Sequence, residues 1–205
     1  MPLLLLPPSE WKRSWWAEWP IQLTIQFETY PEDILFGATQ NDLKCTWKRF
    51  EAAVAANRAY RTAPVLPARQ RYTWVLYKAL DFTSLPQTAQ EYAMKKCFVL
   101  SWLFGLVSLA DTIPDYKLPI SVKGLRQFWK PVLTQAIFTR LNEYNEGTIV
   151  SLLSWPYSAC IDWKFLKKAG IDIDIPTPND WKNHTHMIKK RRWFWLHDTL
   201  LSTWL

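Results

Sequence analysis

The chain has 205 residues, of which 49% are hydrophobic and 21% charged. This balance is that of a globular protein and excludes an intrinsically disordered one, and the length fits a single domain spanning residues 1–205. The formal net charge of +7 favours a polyanionic partner such as nucleic acid, although charge alone gives only weak, salt-sensitive attraction.

The cysteines and the N-terminus indicate the compartment. Cys45, Cys97 and Cys160 lie far apart and form no CxxC pair, so they predict neither a disulfide framework nor a zinc site. The apolar run 2–6 ends at Pro7-Pro8 and follows no basic segment, so it predicts a buried strand rather than a signal peptide. No apolar run approaches the roughly twenty residues that a membrane span needs. We therefore expect a cytoplasmic protein with no membrane partner.

Glycine and tryptophan occur in unusual numbers. The chain holds 5 Gly and 14 Trp, whereas an average chain of this length holds about 14 Gly. Asn179-Asp180 would form a strong hairpin signal if glycine followed, but Trp181 follows instead. We hypothesise that UGA codons read as glycine in the source organism underlie Trp11, Trp74, Trp102, Trp181 and Trp193. UGG codons at positions 11, 74, 102 and 193 would contradict this; the alternative is a Trp-rich binding surface.

Strand and helix patterns follow one another along the chain. Buried or half-buried strands are predicted at 2–6, 97–101, 148–153 and 171–175. Helices are predicted at 47–60, 87–95, 123–142 and 189–201, and a strand or turn leading into a helix at 71–81. Residues 104–107 are predicted as a turn and 111–118 as an extended loop. His184 and His186 are expected in a strand.

A series of short motifs also runs in order along the chain. They are Leu6-Pro7-Pro8-Ser9-Glu10-Trp11-Lys12, Ala55-Ala56-Asn57-Arg58, Thr62-Ala63-Pro64, Arg71-Tyr72-Thr73-Trp74, Leu100-Ser101-Trp102-Leu103-Phe104-Gly105, Asp111-x-Ile113-x-x-Tyr116-Lys117-Leu118, Phe128-Trp129, Ser154-x-x-Tyr157 and His186-x-x-Lys189-x-x-Arg192-Trp193. Each motif is weak alone, but the ordered set resembles the YaaA peroxide-stress protein family. That family has glycine at the positions of Trp11, Trp74, Trp102 and Trp193.

The resemblance implies a mixed α/β (α+β) domain with a central mixed sheet flanked by helices. It implies a cytoplasmic role in limiting peroxide damage, linked to low reactive iron. It also implies binding to double-stranded DNA through a basic cleft with a helix-hairpin-helix element, for which Leu43–Lys48 leading into helix 48–60 is the nearest candidate. Basic residues that could contact DNA, or merely solvate helix faces, are Lys44, Lys48, Arg49, Arg58, Lys190 and Arg191.

The polar motif residues stand mostly at predicted strand ends. If the strands lie side by side, these residues can converge on one basic, hydroxyl-rich pocket. The candidates are Ser9, Lys12, Arg71, Tyr72, Thr73, Ser101, Tyr116, Lys117, Ser154, Tyr157, His186, Lys189 and Arg192. Cations beside hydroxyl groups suit a phosphate or nucleotide better than a metal, because carboxylates are scarce in the set, so we predict no metal site and no cofactor.

Two functions remain open at this point. The first is a DNA-binding stress-protection protein. The second is an enzyme acting on a nucleotide or nucleobase in the pocket, and whether the chain catalyses any reaction is left open. Each tyrosine alone is equally well explained as a core aromatic residue. For the pocket, Lys12→Ala or Arg71→Ala is expected to abolish binding of a small ligand and to leave the fold intact.

Overall fold

The computed structural model describes residues 2–10, 12–13, 20–73, 75–176 and 185–202, without the side chains of 75–76 and 185–193. In chain order the elements are β1 (Leu3–Leu6), α1 (Glu32–Gly37), α2 (Gln40–Leu43), α3 (Trp47–Ala59), β2 (Val65–Pro67), α4 (Ala68–Arg71), α5 (Val75–Leu80), a 3₁₀ turn (Phe82–Ser84), α6 (Gln87–Lys96), β3 (Cys97–Ser101), β4 (Gly105–Ser108), β5 (Thr112–Pro114), α7 (Leu125–Glu143), β6 (Thr148–Ser151), α8 (Trp155–Ser158), α9 (Trp163–Lys168), β7 (Asp172–Asp174) and α10 (Thr185–Ser202).

A five-stranded sheet in the order β4-β3-β1-β6-β7 forms the centre of the fold. Its middle strand β1 runs parallel to β3 and β6, with Leu5 opposite Phe98 on one side and Ser151 on the other. The edge strand β7 is parallel to β6, whereas the edge strand β4 is antiparallel to β3. Every residue of β1 is buried, as a continuous apolar run predicts for a strand covered on both faces. The predicted mixed α/β fold with a central mixed sheet flanked by helices is confirmed.

Three short strands, β2, β4 and β5, were not predicted. Residues 104–107 were expected to form a turn, but Gly105 starts β4 with a φ of +71°, a conformation that glycine adopts easily, and the chain folds back on β3. Within the predicted loop 111–118, β5 pairs antiparallel with β2. A strand of three residues with a distant partner leaves no local periodicity to detect.

The C-terminal segment also departs from the prediction. His186 belongs to α10, which starts at Thr185, so its predicted place in a strand is wrong. The prediction rested on the spacing of His184 and His186, two residues apart, which imitates the period of a strand. His184 and the predicted turn at 179–182 lie outside the described residues. None of the helices that the structure describes is long and apolar enough to cross a bilayer.

Helix α7 packs against the sheet and forms a hydrogen bond to the loop that follows β3. Its predicted apolar face is confirmed, with Leu125, Trp129 and Leu133 fully buried. The Trp129 indole N–H donates to the carbonyl of Trp102 at 2.8 Å. The chain leaving β3 is therefore held in one position at the edge of the sheet where the polar motif residues gather.

Candidate functional site

A pocket lies at the carboxyl edge of the central sheet. Because β1, β3 and β6 are parallel, their carboxyl ends meet at this edge, as in other sheets that carry binding sites there. The segments after β1 and β3 and the segment 116–120 supply most of the wall, and α8 adds one residue. The wall consists of Pro8, Ser9, Glu10, Lys12, Trp102, Tyr116, Lys117, Leu118, Pro119, Ile120 and Tyr157, around a free cavity of only ≈ 10 Å³.

Lys12 is the half-buried cation of this pocket. Its Nζ donates to the carbonyl of Tyr116 at 2.9 Å and lies 4.2 Å from the centroid of the Tyr116 ring. The pKa of Lys12 is lowered to about 8, chiefly by burial and also by the nearby cations of Lys117 and Arg71, while the carboxylates of Asp115 and Glu10 oppose the shift. The ammonium can therefore release its proton near neutral pH, which an ordinary exposed lysine cannot do.

Behind Lys12, three buried hydroxyl groups form a chain. The Tyr116 hydroxyl lies 2.9 Å from Ser101 Oγ and 3.3 Å from the Tyr72 hydroxyl. Ser101 Oγ also accepts from the N–H of Phe104 at 2.9 Å. Burial raises the pKa of both phenols, so Tyr72 and Tyr116 stay neutral and keep their protons for hydrogen bonding.

Arg71 lies beside the pocket but does not line it. Its guanidinium donates to the carbonyls of Ile113 and Pro64, each at 3.1 Å, and to that of Arg13. The Arg13 N–H in turn donates to the Arg71 carbonyl at 2.8 Å. A buried cation that joins three chain segments is structural, so the expectation that Arg71→Ala leaves the fold intact is replaced by an expected loss of stability.

The remaining candidates have varied positions. Ser9 Oγ donates to the carbonyl of Thr73. Ser154 is the N-cap of α8, and its carbonyl accepts from the N–H of Tyr157 at 3.0 Å. The side chains of His186, Lys189 and Arg192, in α10, lie outside the described residues. The structure thus brings five of the candidates to the pocket wall, namely Ser9, Lys12, Tyr116, Lys117 and Tyr157.

Sequence reasoning missed three residues at this place. Trp102, expected to be glycine, contributes its indole to the wall, and its main chain is not in the left-handed region that would require glycine. Glu10 stands at the rim, with a carboxylate oxygen 3.7 Å from Lys117 Nζ. Asp115 lies near enough to Lys12 and Arg71 for its carboxylate to oppose the lowering of both pKa values by burial. Glu10 lies within the first motif and Asp115 directly precedes Tyr116 of another. Their closeness to motif residues was the sequence signal that could have identified them.

A wider cleft opens beside the pocket. It has a volume of ≈ 500 Å³ and shares Glu10, Lys12, Tyr116 and Lys117 with the pocket wall. Its opposite wall comes from the α2–α3 pair, with Lys44, Cys45, Arg49, Ala52, Ala53 and Ala56. Three residues connect the two helices, and Lys44 takes a left-handed conformation with a φ of 52° that makes the turn tight.

The predicted DNA-contact residues concentrate on this helix pair. Lys44, Lys48, Arg49 and Arg58 are exposed, and Lys44 and Arg49 face the cleft. The side chains of Lys190 and Arg191 lie outside the described residues. Within the part of the chain that the structure describes, no three His, Cys, Asp or Glu residues are placed to hold a metal ion.

Comparison with known proteins identifies the family. Residues 28–196 match the family model described as "Peroxide stress protein YaaA". The chain is 28% identical over 180 residues to a UPF0246 protein of Streptomyces coelicolor, covering 79% of this chain and 67% of the relative. It is 30% identical over 122 residues to a UPF0246 protein of Colwellia psychrerythraea, covering 55% of this chain and 46% of the relative. It is 33% identical over 126 residues to a UPF0246 protein of Corynebacterium glutamicum, covering 57% of this chain and 50% of the relative.

Two of these three matches span half of the relative's length or less. The match to the family model nevertheless runs from the segment before α1 into α10, and includes β3, the hydroxyl chain and the α2–α3 wall of the cleft. The chain belongs to the YaaA peroxide stress protein family.

Proposed function

We propose that this protein protects DNA in the cytoplasm against peroxide by binding the double helix along the cleft, and so limits iron-dependent damage. Family membership supports the role in peroxide stress. The observation that carries the DNA partner is the group of exposed cations at the start of α3 and in the turn before it, of which Lys44 and Arg49 line one wall of the cleft. Binding to the phosphate backbone needs such cations and no base contacts.

The cations of the α2–α3 wall are available to a partner. Among the described residues, Lys44, Lys48 and Arg49 form no ion pair with any carboxylate. On the facing wall, Lys117 is near Glu10 at 3.7 Å and Lys12 lies deeper. A polyanion entering the cleft therefore meets the α2–α3 cations first, and Glu10 and Asp115 restrict how deeply a phosphate can go.

The α2–α3 turn fits the proposed helix-hairpin-helix role. The turn leaves the first N–H groups of α3 at the protein surface, and the Thr46 side chain does not cap them. Lys44 and Lys48 flank these groups in the sequence. A DNA phosphate at this point would be bound by both kinds of group.

We expect the protein to slow the nicking of supercoiled plasmid DNA by hydrogen peroxide and ferrous iron. The protection should disappear as the salt concentration rises towards about 1 M, because phosphate contacts are lost as counterions compete. Gel electrophoresis of the plasmid at increasing salt measures this. The chain's tryptophans also scavenge radicals in solution, but scavenging does not need binding. Protection that is unchanged at high salt would therefore contradict the proposal.

A second candidate is an enzyme that acts on a nucleotide or nucleobase in the pocket. The observation in its favour is Lys12, because an amine whose pKa is about 8 can hold an anion or exchange a proton near neutral pH. The neighbouring hydroxyl groups of Ser9, Tyr116 and Tyr157 can orient a polar ligand.

The acylation of Lys12 tests this candidate. The rate of its reaction with acetic anhydride, followed by mass spectrometry, should rise with pH with a midpoint near 8, whereas ordinary exposed lysines titrate at about 10.4. Inorganic phosphate should slow the reaction if it binds beside Lys12. A midpoint near that of ordinary lysines, with no effect of phosphate, would remove the basis for the candidate.

A further inference from the structure

The Trp102 indole occupies the pocket in an unusual way. It is only 3% exposed and lies almost flat on the ring of Tyr157, with centroids 5.2 Å apart and planes inclined by 15°. Offset stacking of this kind is a favourable aromatic arrangement. The indole N–H, although buried, donates to no acceptor among the residues that the structure describes. Its ring is well packed, but its polar atom is not satisfied.

The surroundings of the indole differ from those of a core tryptophan. Trp129, in the core, donates its N–H to the carbonyl of Trp102. Trp102 instead shares its wall with Lys12, Lys117 and Ser9, which are groups that bind anions or polar rings. The free cavity is ≈ 10 Å³ because the indole fills the space between these groups and Tyr157. Removing the indole would open a flat slot with an aromatic floor and a basic rim.

We propose that this slot binds a purine nucleotide and that the Trp102 side chain closes it in this sequence, whereas the glycine that the codon hypothesis places at position 102 would leave it open. Indole and purine are both flat, fused bicyclic rings, so a space that accepts the first fits the second. The purine would stack on Tyr157, as bases stack on aromatic side chains in other proteins. Lys12 and Lys117 would then meet its phosphate group.

This proposal rests on the function proposed above for the pocket, namely that it binds a nucleotide. The nucleotide can come from two sources. A free nucleotide can enter directly. Alternatively, a base can leave a duplex that lies in the cleft, because the pocket and the cleft share Glu10, Lys12, Tyr116 and Lys117. Proteins that take a base out of the stack bind it in a pocket of this kind. In either case the bound group is a purine nucleotide.

Binding of adenosine monophosphate tests the slot. In Trp102→Gly the ligand should raise the midpoint of thermal unfolding and bind at least tenfold more tightly than in the wild type, measured by calorimetry. Adding Tyr157→Ala should abolish this gain by removing the floor. Trp155→Ala is the matched control, because that tryptophan is 73% exposed and does not line the pocket. If Trp102→Gly folds poorly, Trp102→Leu repeats the test with more of the packing kept.

A duplex carrying the fluorescent base 2-aminopurine separates the two sources. A rise of its fluorescence with Trp102→Gly, lost on Tyr157→Ala, indicates a base drawn from DNA, whereas a gain for adenosine monophosphate alone indicates a free nucleotide. If neither probe responds while duplex affinity is unchanged, the slot is overturned and the DNA proposal stands. If adenosine monophosphate binds and the wild type has no duplex affinity, the slot stands and the DNA proposal is wrong.

Discussion

Arg71→Ala is expected to lower the free energy of unfolding by about 3 kcal/mol or more, because each buried carbonyl left without its donor costs about 1–3 kcal/mol and the guanidinium donates to three of them. Arg71 is 1% exposed, and its guanidinium donates to carbonyls in three separate segments, at Ile113, Pro64 and Arg13. Without it, these carbonyls lose their donors in a place that water reaches poorly. Denaturant titration followed by circular dichroism measures the change.

Two variants make the Arg71 result interpretable. Arg58→Ala removes an exposed arginine of α3 and should change stability by less than about 0.5 kcal/mol. Arg71→Lys keeps the charge but has no planar fork of donors, so it should recover only part of the loss. A loss below about 1 kcal/mol for Arg71→Ala would mean that the guanidinium is not needed by the fold, and its role as a ligand group would return to consideration.

Much of the fold could be predicted because its signals are local. The buried run 2–6 and the amphipathic pattern at 123–142 correspond to β1 and α7 within one to two residues at each end. By contrast, the residues of β5 form a strand because they pair with β2, not because of a pattern in their own sequence. Likewise, β4 forms because the chain reverses direction at Gly105 and pairs with β3. Single-sequence periodicity contains no information on such partners.

The site could be predicted only at the level of residue types. Parallel strands bring their carboxyl ends together, and this rule was sufficient to place Ser9, Lys12 and Tyr157 in one pocket. The same rule could not separate Arg71, whose donors face inward to carbonyls, from Lys12, which lines the wall. Nor could it show that the side chain at position 102 lies flat on Tyr157, because stacking depends on the geometry of two distant segments.

The second large effect is expected at the cleft. The triple variant Lys44→Ala, Lys48→Ala, Arg49→Ala removes three cations of the α2–α3 pair, each of which forms no ion pair among the described residues. Each phosphate contact contributes about 0.9 to the slope of log affinity against log salt, so the slope should become shallower by about three if all of them contact phosphates. At about 1 M salt such contacts contribute little, so wild type and variant should bind about equally there. Over the tenfold drop in salt to about 0.1 M, a slope difference of about three makes the affinity of the variant lower on the order of several hundredfold.

The matched control lowers the net charge equally at another place. Lys164→Ala, Lys167→Ala, Lys168→Ala changes three exposed lysines of α9, none of which lines the cleft or the pocket. This variant should keep the wild-type slope, because long-range charge alone does not set the number of phosphates contacted.

Fluorescence anisotropy of a labelled duplex, titrated with wild type and both triple variants over a range of salt concentrations, tests the account most directly. Binding by the wild type with a steep salt dependence, a much shallower slope for the α2–α3 variant and an unchanged slope for the α9 variant is the predicted result. Equal slopes for the two triple variants, or no binding by the wild type at about 50 mM salt, where phosphate contacts are strongest, would contradict the proposal that this cleft binds DNA.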